Sequence, residues 1–426
     1  DIDFYGGVDF RFYKGTHTND IVDLYGGKYF IDSTRKSVKP ENNANAANQS
    51  WVYQKLGVGD AVYRDYDGHV VQEGAFFQAE YSKNGLSSFL SGSLSNTSYW
   101  RYDRLYYDKK NAESETKNYL GFTVKGGANY NFNEHHNAFF NVGYISRAPK
   151  FNYGAFLSFA SSNVTNPDAK NEKVVSFELG YGYRLKWLQV DVNAYWTKWL
   201  DKTMAKSSTV GTAQVDAFVN MTGVNALHKG IEIEAKASPL YWLDVNAMFS
   251  IGDWKWDSNA KGYVFDYNGQ PLTKDGSIAS GIGAEDHLST GINLKGIHVG
   301  GAAQTTAALG ATIKIGKEIR IGADWTLYAR NYAYYSISGS NLSLGKTNTV
   351  ADPWRVPTAS QFDLNASYKF KIAGLNATIS GNVNNLFDYQ YLGKVWNPSS
   401  GTATKDNIYG FYAFGRTFST RLKINF

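Results

Sequence analysis

Apolar and polar residues alternate with a period of two along most of this chain. In the last nine residues Phe418, Thr420, Leu422, Ile424 and Phe426 share one face, and Ser419, Arg421, Lys423 and Asn425 share the other. Such alternation predicts a strand with two unlike faces. It recurs in about fourteen segments: 2–13, 69–83, 86–106, 117–131, 137–147, 175–185, 188–197, 230–236, 243–251, 305–315, 318–332, 362–372, 375–388 and 418–426. The connections fall into two classes that alternate strictly. Short ones include Asn84-Gly85, Ser238-Pro239, Gly316-Lys317 and Ala373-Gly374, which are hairpin signals. Long polar ones cover 14–68, 107–116, 148–173, 202–226, 257–300, 333–360 and 390–409. Strict alternation of short turns and long loops predicts an all-β transmembrane antiparallel β-barrel occupying residues 1–426, with the long loops extracellular. A β-sandwich with Greek-key loops would mix the two classes. A soluble two-sheet protein with one wet face is the competing reading.

Charge decides which face meets lipid. Glu178, Arg184, Asp191, Glu232, Glu234, Lys236, Asp363, Lys369 and Lys423 all fall on the polar face. An Arg or Lys at the lipid midplane costs about 2–4 kcal/mol, so the polar face turns inward and the apolar face outward. Tyr183, Trp187, Tyr241, Trp242, Tyr328 and Tyr332 gather near strand ends, where interfacial girdles belong. The 426 residues include 31 Tyr, 25 Phe and 11 Trp, yet no apolar run is long enough for a membrane helix. The absence of cysteine excludes disulfides, thiolate metal sites and cysteine nucleophiles. A net charge of +5 without a basic block excludes nucleic acid as a partner. The strand pattern starts at once after Asp1 with no leader, so the native polypeptide is expected to extend further at its N-terminus.

Catalytic signatures are missing: there is no G-x-S-x-G, no H-E-x-x-H and no phosphate loop, and no cofactor is called for. His135-His136 reads as a solvated turn rather than a metal pair. Asp65-Tyr66-Asp67-Gly68 and Asp266-Tyr267-Asn268-Gly269 have some calcium-loop character but lack the closing Glu. The long loops hold more aromatics than solubility requires. Trp51, Tyr153, Phe156, Phe159, Trp254, Trp256, Tyr334, Tyr335, Trp354 and Trp396 are candidates to stack on a ligand. The bland alternative for each is a girdle anchor or loop-to-loop packing.

Three segments resemble the TonB-dependent outer-membrane receptor family. They are Asn382-Val383-Asn384-Asn385-Leu386-Phe387-Asp388, then Ser146-Arg147-Ala148-Pro149 followed by Asn166-Pro167-Asp168-Ala169-Lys170-Asn171-Glu172, and the aromatic C-terminal strand. Asp23-Leu24-Tyr25-Gly26-Gly27 is similar to receptors of the Bacteroidota branch. The resemblance implies a barrel of about 22 strands around a plug, of which this chain would supply the last fourteen or so. It also implies residence in the outer membrane of a Gram-negative bacterium. Energy would come from the TonB complex through a segment not in this sequence. A surface lipoprotein is a further partner, and Phe418, Leu422, Ile424 and Phe426 would be read by the barrel assembly machinery. The implied function is import of a bulky scarce nutrient, with a ferric siderophore or other metal chelate first and a glycan, peptide or cobalamin next. The absence of His from residues 150–165 counts against haem. A passive 14-stranded diffusion channel and an adhesive barrel are the rivals.

Leu179→Arg should lower outer-membrane levels far more than Glu178→Arg, because only the first places charge in lipid; equal levels would reverse the assigned faces. Deleting Phe426 should slow insertion, measured as the rate of appearance in the outer-membrane fraction.

Overall fold

Every strand carries backbone N–H and C=O groups that a neighbour must satisfy. Here consecutive segments pair edge to edge. The computed structural model describes residues 2–157, 163–266, 269–334, 342–398 and 402–426. In chain order the strands are β1 (Ile2–Asp20), β2 (Ala61–Lys83), β3 (Leu86–Asp103), β4 (Lys117–Asn131), β5 (His136–Arg147), β6 (Glu172–Arg184), β7 (Leu188–Val210), β8 (Val215–Leu240), β9 (Leu243–Trp256), β10 (Ala260–Asp266), β11 (Ser289–Asn293), β12 (Ala303–Ile315), β13 (Ile319–Tyr332), β14 (Thr347–Thr349), β15 (Arg355–Val356), β16 (Ala359–Ile372), β17 (Leu375–Asn384), β18 (Leu392–Trp396), β19 (Tyr409–Tyr412) and β20 (Thr417–Asn425). β1 to β9 pair in succession. β9 then leads through β12, β13, β16 and β17 to β20, with every pairing antiparallel. Among the described residues β1 pairs only with β2 and β20 only with β17, so the sheet is open at both edges.

Among the described residues the sheet holds eighteen strands, where fourteen were expected. The difference is the short strands β10, β11, β14 and β15, which lie in long connections and add to β8, β13 and one another. β18 and β19 form a hairpin of their own. The expected connection 14–68 is shorter than thought, because β1 runs on to Asp20 and β2 starts at Ala61. The expected connection 202–226 is mostly strand. β7 and β8 stay paired up to Val210 and Val215 and turn through Gly211 to Gln214. Apolar residues cover both faces of this extension, which erases the two-residue period that marks a strand with one wet face. β17 stops at Asn384 because Asn385 takes a left-handed backbone, with φ of +53°.

The apolar face is bare. Phe4 is 77% exposed, Leu179 64% and Leu422 56%, and similar residues stand on every long strand between them except β7. A water-soluble monomer rarely leaves so continuous an apolar surface uncovered. Short turns bound this belt on one side. Asn84 and Gly85 supply the two positive φ values of a tight hairpin turn, as do Ala373 and Gly374.

The buried core lies at the other end, among the long connections. Val219, Met221 and Val224 of β8 pack with Val264 of β10, Ile292 of β11, Leu272, Leu288 and Leu294. His287 is fixed beside them: its ring stacks on Tyr263 at 4.7 Å, Nδ1 accepts from the Gly283 N–H at 2.9 Å and Nε2 donates to the Val264 carbonyl at 2.9 Å. Lys206 sits in this extension with 6% of its surface exposed, and its ammonium has no hydrogen-bond partner among the described residues.

Burial lowers the Lys206 ammonium from its ordinary 10.5 to about 8. The opened hairpin binds that proton more tightly than the closed one. Closing therefore carries a cost below about pH 8 that fades as pH rises toward 10.5. Lys206→Met should slow amide exchange in the β7–β8 extension at pH 7, with the advantage shrinking by pH 10. An equal advantage at both pH values would mean that packing rather than charge is responsible.

Candidate functional site

The aromatic candidates divide by what the fold does with them. Trp51 lies on a single helical turn, Gln49–Val52, under the Arg35 guanidinium at 4.9 Å. Arg35 also donates to the Trp51 carbonyl at 3.1 Å, so this indole braces a loop. Phe156 is fully buried and packs on Phe151 at 4.8 Å. Trp254 is tied into the wall, since its indole N–H donates to the Tyr195 hydroxyl at 2.8 Å. Trp256 packs against the β8–β10–β11 core. Tyr153 is 42% exposed with a φ of +63°. Phe159 and Tyr335 lie outside the described residues.

Tyr334, Trp354 and Trp396 come together. The β18–β19 hairpin places Trp396 opposite Tyr409. The rings of Trp396 and Tyr334 stack at 5.8 Å and 25°. The Tyr334 N–H donates to the Val395 carbonyl at 2.7 Å, which splices β18 onto the end of β13. Trp354 joins through its own N–H, which donates to Asn397 Oδ1 at 2.9 Å, and packs on buried Ala333, Val356 and Val395. Phe411 meets Trp396 edge-on at 5.8 Å.

Lys394 completes the group and was not foreseen. Its ammonium lies 5.3 Å from the Tyr334 ring and 4.8 Å from the Trp396 ring. It makes no ion pair among the described residues. Its place two residues before Trp396 in a strand puts the two side chains on one face, which was the signal available in the sequence. An exposed ammonium held against two rings offers positive charge and flat apolar surface together.

The motif segments act as structural pins. Arg147 binds Glu172 at 2.6 Å where β5 and β6 pair, and Glu172 is 3% exposed. The Asn166 side chain donates to the Gly154 carbonyl at 2.8 Å and accepts from Asn220 of β8 at 2.9 Å, folding the 148–171 connection onto the extension. The Asn385 N–H donates to Asp363 at 2.7 Å, and its side-chain amide donates to the carbonyls of Tyr389 and Phe414 at 3.0 and 3.3 Å. Asp388 accepts from the Arg416 N–H at 2.7 Å. The Asn-Asn-Leu-Phe-Asp segment thereby holds β17 to the entry of β20.

Asp67 and Asp266 of the two calcium-like segments already have partners. Asp67 is bound by Lys14 and Arg104, each at 2.9 Å. The Arg104 guanidinium beside it keeps this carboxyl well below the usual carboxylate range. Asp266 accepts from the Gln270 N–H at 2.8 Å, while Tyr267 and Asn268 lie outside the described residues. His135 turns Nδ1 toward the Arg184 carbonyl at 2.8 Å. Among the described residues no three His, Asp or Glu side chains are grouped to hold a metal ion.

No curated protein matches the chain in sequence. Its fold is shared with solved structures. One is titled the copper transporter OprC, with a TM-score of 0.59 at 16% identity, covering 100% of this chain and 55% of that one. The siderophore receptor PiuA from Acinetobacter baumannii gives 0.58 at 14% identity over 99% and 52%. FpvA of P. aeruginosa, bound to a pyoverdine–iron complex, gives 0.58 at 14% over 99% and 45%. The chain therefore spans about half the length of these proteins. Residues 1–386 match the family described as TonB dependent receptor-like, beta-barrel, whose members are outer-membrane transporters and receptors of Gram-negative bacteria. The chain belongs to this TonB-dependent receptor β-barrel family.

Proposed function

We propose that this chain is the wall of an outer-membrane active transporter that imports a bulky scarce nutrient, with a ferric siderophore or similar metal chelate first. The observation that carries the ligand class is the Lys394–Tyr334–Trp396 group, which offers an unpaired ammonium on flat aromatic surface at the long-connection end. An anionic chelate with planar groups fits that chemistry. The bare apolar belt supports a membrane wall, and family membership supports transport over a passive channel. The iron, siderophore and copper named in the titles of structurally similar proteins agree with it.

In this reading the apolar belt faces the lipid of the outer membrane and the long connections face outward. Setting the four short strands aside from the eighteen of the sheet leaves fourteen long ones, which would be the last of about 22 in a closed barrel. The two free edges would pair with the remaining strands, a plug would fill the interior and the TonB complex would drive release. Phe418, Leu422 and Ile424 of the terminal strand, with Phe426 directly after it, would be the residues read by the barrel assembly machinery.

The test is binding of a ferric tris-catecholate and a ferric hydroxamate to the full receptor in outer membranes. Lys394→Glu combined with Trp396→Ala should weaken the better of the two about tenfold or more, equivalent to at least about 1.4 kcal/mol, with the amount of receptor unchanged. Unchanged binding would move the ligand away from this group. Failure of the unmodified receptor to bind either chelate would remove the ferric-chelate reading.

A further inference from the structure

The ring group at the end of β13 rests on a short stretch of chain, residues 296–301. That stretch is tied to two neighbours. The Gly296 and Val299 N–H groups donate to the carbonyls of Trp256 and Trp254 at 2.8 and 2.9 Å, and the Trp256 N–H donates to the Ile297 carbonyl at 2.9 Å. The Gly301 N–H donates to the Tyr332 carbonyl at 2.8 Å. Residues 296–301 therefore bridge the ends of β9 and β13. Gly301 lies so close to the Tyr334 ring that a Cβ there would collide with it, and a Cβ on Gly300 would meet the Ala333 carbonyl. Two glycines thus let this stretch pass directly against the ring group.

His298 of this stretch reaches both segments that carry the rings. Its backbone N–H donates to Asp352 Oδ1 at 3.0 Å, and its ring Nδ1 donates to Oδ2 of the same carboxylate at 2.9 Å. Its imidazole lies flat on Tyr332, with centroids 4.2 Å apart and planes at 8°. Tyr332 stands two residues before Tyr334, and Asp352 two residues before Trp354. The two segments also meet directly, since the Ala333 N–H donates to the Trp354 carbonyl at 2.9 Å. One imidazole therefore grips both sides of the junction from which Tyr334 and Trp354 extend.

The titratable and charged groups around His298 come from several elements. Asp352 lies between β14 and β15, and Tyr332 on β13 has Arg355 of β15 level with it. Lys255 of β9 is opposite His298 in a backbone bridge. Its ammonium is held by Asp253 at 3.0 Å, which Lys229 of β8 also approaches at 3.8 Å. A proton gained by the imidazole makes its bond to Asp352 charge-assisted and its stack on Tyr332 a cation–π contact. The imidazole is 16% exposed and the Asp352 carboxylate 49%, so water can deliver and remove that proton.

We propose that His298 is a positioning residue of the ligand group: it fixes Tyr334 against Trp354, and gaining a proton tightens that hold. The inference rests on the reading of the Lys394 group as a ligand surface and adds its regulation by external pH. Imidazole is the side chain that ordinarily changes charge between about pH 5 and 8. Protonation firms the ring group and adds positive charge beside it, and both favour an anionic ligand.

The test uses the full receptor carrying fluorotryptophan, with the Trp354 fluorine signal assigned through Trp354→Phe. His298→Asn keeps a donor for Asp352 but cannot titrate, and Asp352→Asn keeps the shape but removes the charge. Between about pH 6 and about pH 8.5 the Trp354 signal should move in the unmodified receptor, and less than about a third as far in either variant. A signal that stays still in the unmodified receptor, or moves equally in both variants, would overturn the proposal. Binding of a ferric tris-catecholate is then compared with the unmodified receptor at each pH, so that protonation of the chelate cancels. The affinity lost in His298→Asn should be about threefold or more greater at the lower pH than at the higher. An equal loss at both is the result of a merely structural histidine and would also overturn it. A receptor that shows the fluorine titration yet binds no chelate would keep the positioning role and bring down the ligand reading.

Discussion

Backbone hydrogen bonding governs this structure. In hydrocarbon each unpaired N–H or C=O costs several kcal/mol, so a chain that crosses as strands must satisfy them sideways. The unbroken antiparallel succession from β1 to β20 meets that demand everywhere except its two outer edges. Burial of apolar side chains between layers, the usual source of stability, plays little part in the wall itself. The apolar face is bare, and the polar face holds short-range hydrogen bonds such as Asn141 to Glu178 at 3.2 Å and Asn365 to Asp324 at 3.1 Å.

Conventional packing returns where the strands leave the wall. The β7–β8 extension, with β10, β11 and β14, builds a core of Val, Leu, Ile and Met side chains of the kind found in water-soluble domains. A second set of contacts packs Ala148, Phe151, Ala155 and Phe156 against Val70, Tyr99 and Tyr119. The chain thus uses two solvents. In the proposed reading lipid would define its middle, and water the end bearing the long connections.

The sequence is legible wherever one solvent touches one face. The two-residue period marked β4 to the residue, Lys117 to Asn131, and marked the start of β7 at Leu188 but not its end at Val210, and the positive-φ turn pairs marked the reversals. It is illegible where both faces are covered. Residues 202–226 looked like loop because Phe218 packs on one side of β8 and Val219 on the other. The candidate site was partly readable for a similar reason. Aromatic excess in the loops pointed to Tyr334, Trp354 and Trp396 alongside Trp51 and Trp254, but only tertiary geometry separates rings that brace a loop from rings that share a surface with Lys394. That lysine's mark in the sequence is only its place two residues before Trp396.

The core at the long-connection end is assembled from pieces far apart in the chain. Asn348 donates to Thr290 Oγ1 at 3.2 Å across 58 residues, and Lys39 reaches Asp266 at 3.4 Å across 227. Neighbouring wall strands need only local hairpins, whereas these contacts require that many hairpins already stand in register. Loop closure over such distances is entropically slow until the intervening strands are fixed. In the membrane-wall reading the wall and its cap would mature on separate clocks, the wall first and the long-connection end after it.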